Sequence, residues 1–152
     1  APPLPDGIEL RAATPAHYRA IWKAVQEAYA DSPQNVVSDE DDYQQWLRAP
    51  GFDPALWQVA WAGREVAGQV LGEVAYGHGE VAEVSVRKPW RRSGLGRALL
   101  TRDIALLRAR DAAPIRLHCR ADNRFGAPRL YESVGFRPLK TFARCRKPLM
   151  AR

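Results

Sequence analysis

Five cations, Arg87, Lys88, Arg91, Arg92 and Arg97, crowd around two glycines, Gly94 and Gly96, in the stretch VSVRKPWRRSGLGRALL at 84–100. Val84 and Val86 alternate with polar neighbours, as a half-buried strand requires. Pro89 ends the ladder because it has no N–H to donate. A helix then begins near Leu95, where bare glycine backbone and the positive end of a helix dipole suit an anion. Charge, glycines and a helix start at one point suggest a compact polyanion such as a pyrophosphate.

The elements that must hold this turn are legible around it. Residues 8–12 read as a first strand. Thr14 can cap a following helix, with Pro15 at its first position. Tyr18, Ile21, Trp22, Val25 and Tyr29 fall on one face of that helix. Ser38 and the acids Asp39, Glu40, Asp41 and Asp42 open a second helix, with Tyr43, Trp46 and Leu47 as its buried side. Residues 56–62 and 66–76 read as two strands joined at Gly63-Arg64. A tight turn at Gly77-His78-Gly79 leads into a strand at 80–87. A helix at 95–110, a strand at 115–120, a helix from about 124 to 134 and a strand near 138–147 complete the chain. The order βααβββαβαβ predicts an α/β (α+β) mixed sheet of six or seven strands with helices on both faces. It lacks the dinucleotide-binding G-x-G-x-x-G and the phosphate-binding G-x-x-x-x-G-K-[ST].

The spacing Arg91-x-x-Gly94-x-Gly96 resembles the acyl-CoA-binding signature of the GCN5-related N-acetyltransferases. A second block, NRFGAPRLYESVGF at 123–136, is similar to the segment after the fifth strand of that family. The two blocks stand in the family's order, separated by a helix and a strand. The resemblance covers about 81–139 firmly and the upstream chain more loosely. It implies the family's fold, acetyl-CoA as co-substrate, no metal, and transfer of an acetyl group to a primary amine by direct attack in a ternary complex.

The resemblance also implies roles. Main chain from about Arg92 to Arg97, through Ser93, Gly94, Leu95 and Gly96, would wrap the pyrophosphate, and Arg91 and Arg92 either bind phosphate or form a solvated charge run. The strand ending at Val86 and the strand at 115–120 would splay, with the pantetheine arm pairing between them against Val84 and Val86. An N–H near Val86 is the candidate for polarising the thioester carbonyl. Tyr131 matches the Tyr that often protonates the departing thiolate, although it also belongs to the apolar stripe Ala127, Leu130, Tyr131 and Val134. Asn123 either caps that helix or hydrogen-bonds the cofactor arm, and the two roles are compatible. Arg87 and Lys88 reach either a further phosphate or solvent. Gly135 suits the end of the last helix.

Alternation on the strand places Glu83 and Ser85 on the face opposite Val84 and Val86. If that face looks into the acceptor cleft, Glu83 can deprotonate an ammonium, directly or through water. Otherwise it is a solvent-facing strand residue. Glu80, Glu73 and His78 are lesser candidates. The acceptor site is expected between Trp22 and Trp46, with Tyr29, Tyr43 and Trp46 lining a pocket or filling core. Asp31 and the acids at 39–42 either form a rim attractive to a cationic amine or serve the helix start.

One hundred and fifty-two residues, 46% hydrophobic and 26% charged, suit one soluble domain at 8–150. No apolar run approaches the roughly 18 residues that cross a membrane. The lead-in APPLPDG at 1–7 has no signal-peptide pattern and reads as a stiff linker, with Met removal before Ala1 as the alternative. The linker reading leaves room for a second domain of the same type. Cys119 and Cys145 form no metal or redox spacing, which implies a reducing cytoplasm. The net charge of +6 raises nucleic-acid binding as a competitor, but no recognised motif accompanies it. The other competitor is a non-catalytic acyl-CoA-binding domain of a larger tandem protein. The expected partners are a small-molecule or peptide amine, with no nucleic acid or membrane, in a monomer or homodimer.

Overall fold

A computed structural model describes residues 1–30, 38–118 and 127–138. The chain divides into two compact units, Ala1–His118 and Cys119–Arg152.

The first unit is built on a five-stranded sheet in the order β1-β2-β3-β4-β5. The strands are β1 (Glu9–Leu10), β2 (Trp57–Ala62), β3 (Glu65–Ala75), β4 (His78–Val86) and β5 (Ile115–Leu117). The first four run antiparallel, and β5 joins β4 in parallel. A parallel neighbour needs a crossover, which α3 (Leu95–Ala109) supplies. The predicted mixed sheet is therefore present, with five strands among the described residues. The strand expected at 138–147 lies almost wholly outside them.

One face of the sheet carries α1 (Tyr18–Ala28), whose Ile21 and Ala24 pack on Trp57, Val59, Trp61, Val66 and Leu71. The other face carries α3, which buries Leu95, Ala98, Leu99, Leu100, Ile104 and Leu107. Helices thus cover both faces, as the order of elements predicts. Asp103 lies fully buried on the same side of α3, and neither carboxylate oxygen has a hydrogen-bond partner among the described residues.

Two details differ from the sequence pattern. The β3–β4 turn sits at Tyr76-Gly77, both with positive φ, rather than at Gly77-His78-Gly79. Two-residue hairpin loops favour left-handed backbone at both positions, so His78 and Gly79 are released into β4. The acids at 39–42 chiefly begin α2 (Glu40–Arg48). Asp39 accepts from the Asp42 N–H at 3.0 Å, and Asp42 accepts from the Asp39 N–H at 2.9 Å. Glu40 pairs with Arg19 at 2.5 Å.

In the second unit α4 spans Ala127–Ser133. It ends in a Schellman arrangement, with Phe136 N–H donating to the Tyr131 carbonyl and Gly135 N–H to the Glu132 carbonyl. No helix among the described residues is long and apolar enough to cross a membrane.

Candidate active site

Strand β4 positions most of the site. A bulge interrupts its ladder with β3: Leu71 faces Glu83 while Gly72 faces Val81, leaving Ala82 unmatched. Beyond the bulge the pairs are Val84 with Val70, Ser85 with Gln69 and Val86 with Gly68. Gln69 donates to the Ile21 carbonyl of α1 at 3.1 Å, so Gln69, Leu71, Glu83 and Ser85 face α1. A Cβ on Gly68 would meet Leu95 of α3 and Val86, so Val84 and Val86 face α3. The alternation read from the sequence holds.

β5 accompanies β4 only over Gly79–Val81, matched to Ile115–Leu117. From Ala82 to Val86, no described strand continues along that edge. The Val84 carbonyl oxygen lies 3.0 Å from Tyr29 Oη, and the Val86 carbonyl accepts from Arg91 Nε at 3.1 Å. Neither carbonyl is turned towards β3, so the main chain of both residues lines this outer edge.

Glu83 looks into a cavity of about 280 Å³. Its walls include Trp22 from α1, Trp46 from α2, Phe52 from the segment that follows and Trp57 at the start of β2. Trp46 stacks on Trp57 at 5.4 Å, and Trp22 leans on Trp46 at 5.4 Å. The acceptor region predicted between Trp22 and Trp46 thus borders a cavity, while the buried Tyr43 supports Trp22 from behind at 5.7 Å. Tyr29 Oη donates to Glu83 Oε1 at 2.7 Å. Burial pushes the Glu83 carboxyl up to about 7, against the lowering effect of Tyr29 and of the Val84 backbone. A carboxylate poised near neutrality on a cavity wall has the chemistry of a proton acceptor.

Glu73 lines the same cavity, and burial with the facing Glu80 raises its carboxyl above the ordinary value. Glu80 itself lies 3.3 Å from His118 and 3.8 Å from His78, outside the cavity wall.

The turn after β4 leads directly into α3. A short 3-10 turn, Lys88–Trp90, is followed by left-handed backbone at Arg92 and at Gly94, the residue capping α3. Gly94 has φ of 81°, a conformation that side chains disfavour. The N–H groups of Leu95, Gly96 and Arg97 belong to a first helical turn and have no partner within the helix. Arg92, Ser93 and Arg97 are exposed around that start. Arg91 points elsewhere: besides Val86, its guanidinium donates to the Ala28 carbonyl at 2.5 Å, tying the end of α1 to the end of β4. Arg87 pairs with Glu27 at 2.6 Å and with Glu65 at 3.6 Å, and Lys88 is exposed.

Tyr131 is half-buried on α4, with its ring edge-on to Phe136 at 6.2 Å. Asn123, Asp31, Cys119 and Cys145 lie outside the described residues. Among the described residues, no group of His, Cys, Asp and Glu could hold a metal ion. Phe52, Trp57 and the anchoring role of Arg91 escape a reading of the chain alone. Phe52 lies inside the proline-flanked break at 50–54 and Trp57 at the strand start beyond it, positions where no periodicity assigns a side chain to a wall.

A mixed sheet of this order, covered on both faces, with β4 running on past the described β5 towards a glycine-capped helix, is an acetyltransferase fold. It is shared with a GCN5-related N-acetyltransferase from Sphaerobacter thermophilus, at TM-score 0.75 and 33% identity, over 89% of this chain and 42% of that one. It is also shared with the PaiA N-acetyltransferase from Thermoplasma acidophilum in complex with coenzyme A, at TM-score 0.62 and 15% identity, over 83% and 87% of the two chains. The mycothiol acetyltransferase of Thermobispora bispora is 36% identical over 148 residues, 90% of this chain and 48% of that protein. The family profile matches residues 22–136, and the chain belongs to the Acetyltransferase (GNAT) family. It spans about half the length of the relatives it matches.

Proposed function

We propose that the chain transfers an acetyl group from acetyl-CoA to a primary amine held in the cavity between α1, α2 and β4. One observation carries this reading. Glu83 faces the cavity while Val84 and Val86 present main chain on the outer edge of the same strand. An amine and a thioester held on these two sides would meet at β4.

Glu83 accepts a proton from the bound ammonium, and the neutral amine attacks the thioester carbonyl. The Val86 N–H stabilises the oxygen that gains charge, a contribution that rests on a fixed donor in a site shielded from water. The start of α3, with Arg92, Ser93, Gly94, Leu95, Gly96 and Arg97, receives the pyrophosphate. Arg91 fixes the strand end against α1 and so holds this turn in place. Val84 keeps one lone pair of its carbonyl beside the Tyr29 bond for the pantetheine arm. Tyr131 returns a proton to the coenzyme A thiolate, and Asn123 supports the arm. Residues 8–150 form the acetyltransferase domain, and 1–7 lead into it. Acetyl-CoA as donor implies a cytoplasmic enzyme. The relatives' name, mycothiol acetyltransferase, supports a small-molecule acceptor over a protein.

Thiol release from acetyl-CoA with a panel of primary amines tests the proposal. Glu83→Gln should lower kcat by roughly 10²–10⁴-fold, the usual contribution of a general base. Tyr131→Phe should slow thiol release, with acetyl-CoA still bound. Binding of acetyl-CoA without release on any amine would favour an acyl-CoA-binding module of a tandem protein instead.

A further inference from the structure

The cavity wall is chemically one-sided. Among the described residues its charged groups are two carboxylates, Glu73 and Glu83, with no cation, in a chain that holds 23 Lys and Arg against 17 Asp and Glu. Glu83 is engaged by Tyr29. Glu73 has neither an ion pair nor a hydrogen bond among the described residues. The seat of its carboxylate depends on a missing side chain: a Cβ on Gly51 would fall 1.9 Å from Glu73 Oε2. The bare Gly51 backbone therefore lets this carboxylate lie along the cavity wall.

The register sets the spacing of the two acids. Leu71 faces Glu83 across the ladder, and Glu73 is two residues further along the same face of β3. Diagonal neighbours of this kind are about 7–8 Å apart at the backbone. The same cavity is lined by aromatic surfaces, Trp46, Phe52 and Trp57, suited to an apolar stem and to the rim of a cation.

We infer that the acceptor is a dicationic amine, with its reacting ammonium at Glu83 and a second cationic group, about four or five carbons away, held by Glu73. This rests on the reading of the cavity as the acceptor site and adds the class of acceptor. Glu73 is then a specificity-determining residue: it sets which amine enters and takes no part in proton transfer. Burial and the facing Glu80 already oppose ionisation of Glu73, and a second ammonium offsets both.

The test is a pair of probes of equal apolar length, 1,5-diaminopentane and 1-aminopentane, titrated into the chain loaded with coenzyme A, which carries no acetyl group to transfer. Binding is read from the fluorescence of Trp22, Trp46 and Trp57, which line the cavity, so the result does not depend on turnover. The diamine should bind about tenfold tighter or more, well beyond the factor of two from its two equivalent ends. Glu73→Gln should bring the ratio close to that factor of two, with the acetyl-CoA titration confirming a folded chain. Equal affinity for both probes, binding of neither, or a preference that survives Glu73→Gln overturns the proposal. Should Glu73→Gln fail to fold, the wild-type ratio alone decides. A diamine preference without thiol release would overturn the catalytic reading and leave this one standing.

Discussion

Tyr29 Oη lies 2.7 Å from Glu83 Oε1 and 3.0 Å from the Val84 carbonyl oxygen. A hydroxyl has one proton to donate, so both contacts are hydrogen bonds at once only when Glu83 is protonated and donates to Tyr29. Ionised Glu83 takes the Tyr29 proton for itself and releases Val84. The charge of the base and the outer edge of β4 are thereby linked through one residue of α1.

Tyr29→Phe tests that link. Removing a donor that lowers the Glu83 carboxyl leaves burial to dominate, so its value moves above about 7. The acid limb of the kcat/KM profile should shift to higher pH by roughly one unit, since a charge-assisted hydrogen bond is worth about 1.5–3 kcal/mol and one unit about 1.4. The pH profile of Tyr29→Phe against wild type is the check. An unmoved limb would place the titrating group elsewhere.

Asp103 predicts how stability depends on pH. Burial pushes its carboxyl from 3.8 to about 8. The folded chain therefore holds a proton that the unfolded chain releases between those values, and stability falls as pH rises from about 4 to about 8. Asp103→Asn removes that dependence, because the amide has no charge to bury. Thermal melts should show near parity at about pH 4, where the loss begins. At pH 8.5 the variant should melt higher by on the order of 10 °C, at roughly 2–4 °C per kcal/mol for a chain of this size. Parallel pH curves would contradict the assignment.

The elements of the fold and the two faces of β4 were open to a reading of the chain, because alternation and turn chemistry are local. Glu83 and Ser85 fall on one face and Val84 and Val86 on the other, as spacing alone implies. The bulge at Ala82 is a different matter. The extra residue moves Glu80 onto the face of Glu83, opposite Glu73, where strict alternation would put it on the α3 face, and no periodicity shows it. Glu73 was legible as a carboxylate on the neighbouring strand, but its place on the wall depends on Gly51, 22 positions earlier. Arg91 belongs by spacing to the anion turn, yet its guanidinium spans to Ala28, 63 residues away.

That contact gives a further expectation. Arg91→Lys keeps the charge but not the planar fork that reaches both the Val86 and the Ala28 carbonyls. The variant should lose roughly 1–3 kcal/mol of stability, measured by denaturant unfolding. Stability equal to wild type would mean that this tie between α1 and β4 contributes little.

The most direct measurement is calorimetric titration of the chain with acetyl-CoA, beside an Arg92→Ala/Arg97→Ala variant. Both arginines are exposed at the start of α3, so the variant should remain folded. The chain should bind acetyl-CoA at micromolar concentration, and binding should weaken about tenfold or more in the variant, as the loss of charge-assisted contacts to a phosphate implies. No binding by the folded wild type, or equal affinity in the variant, would contradict it.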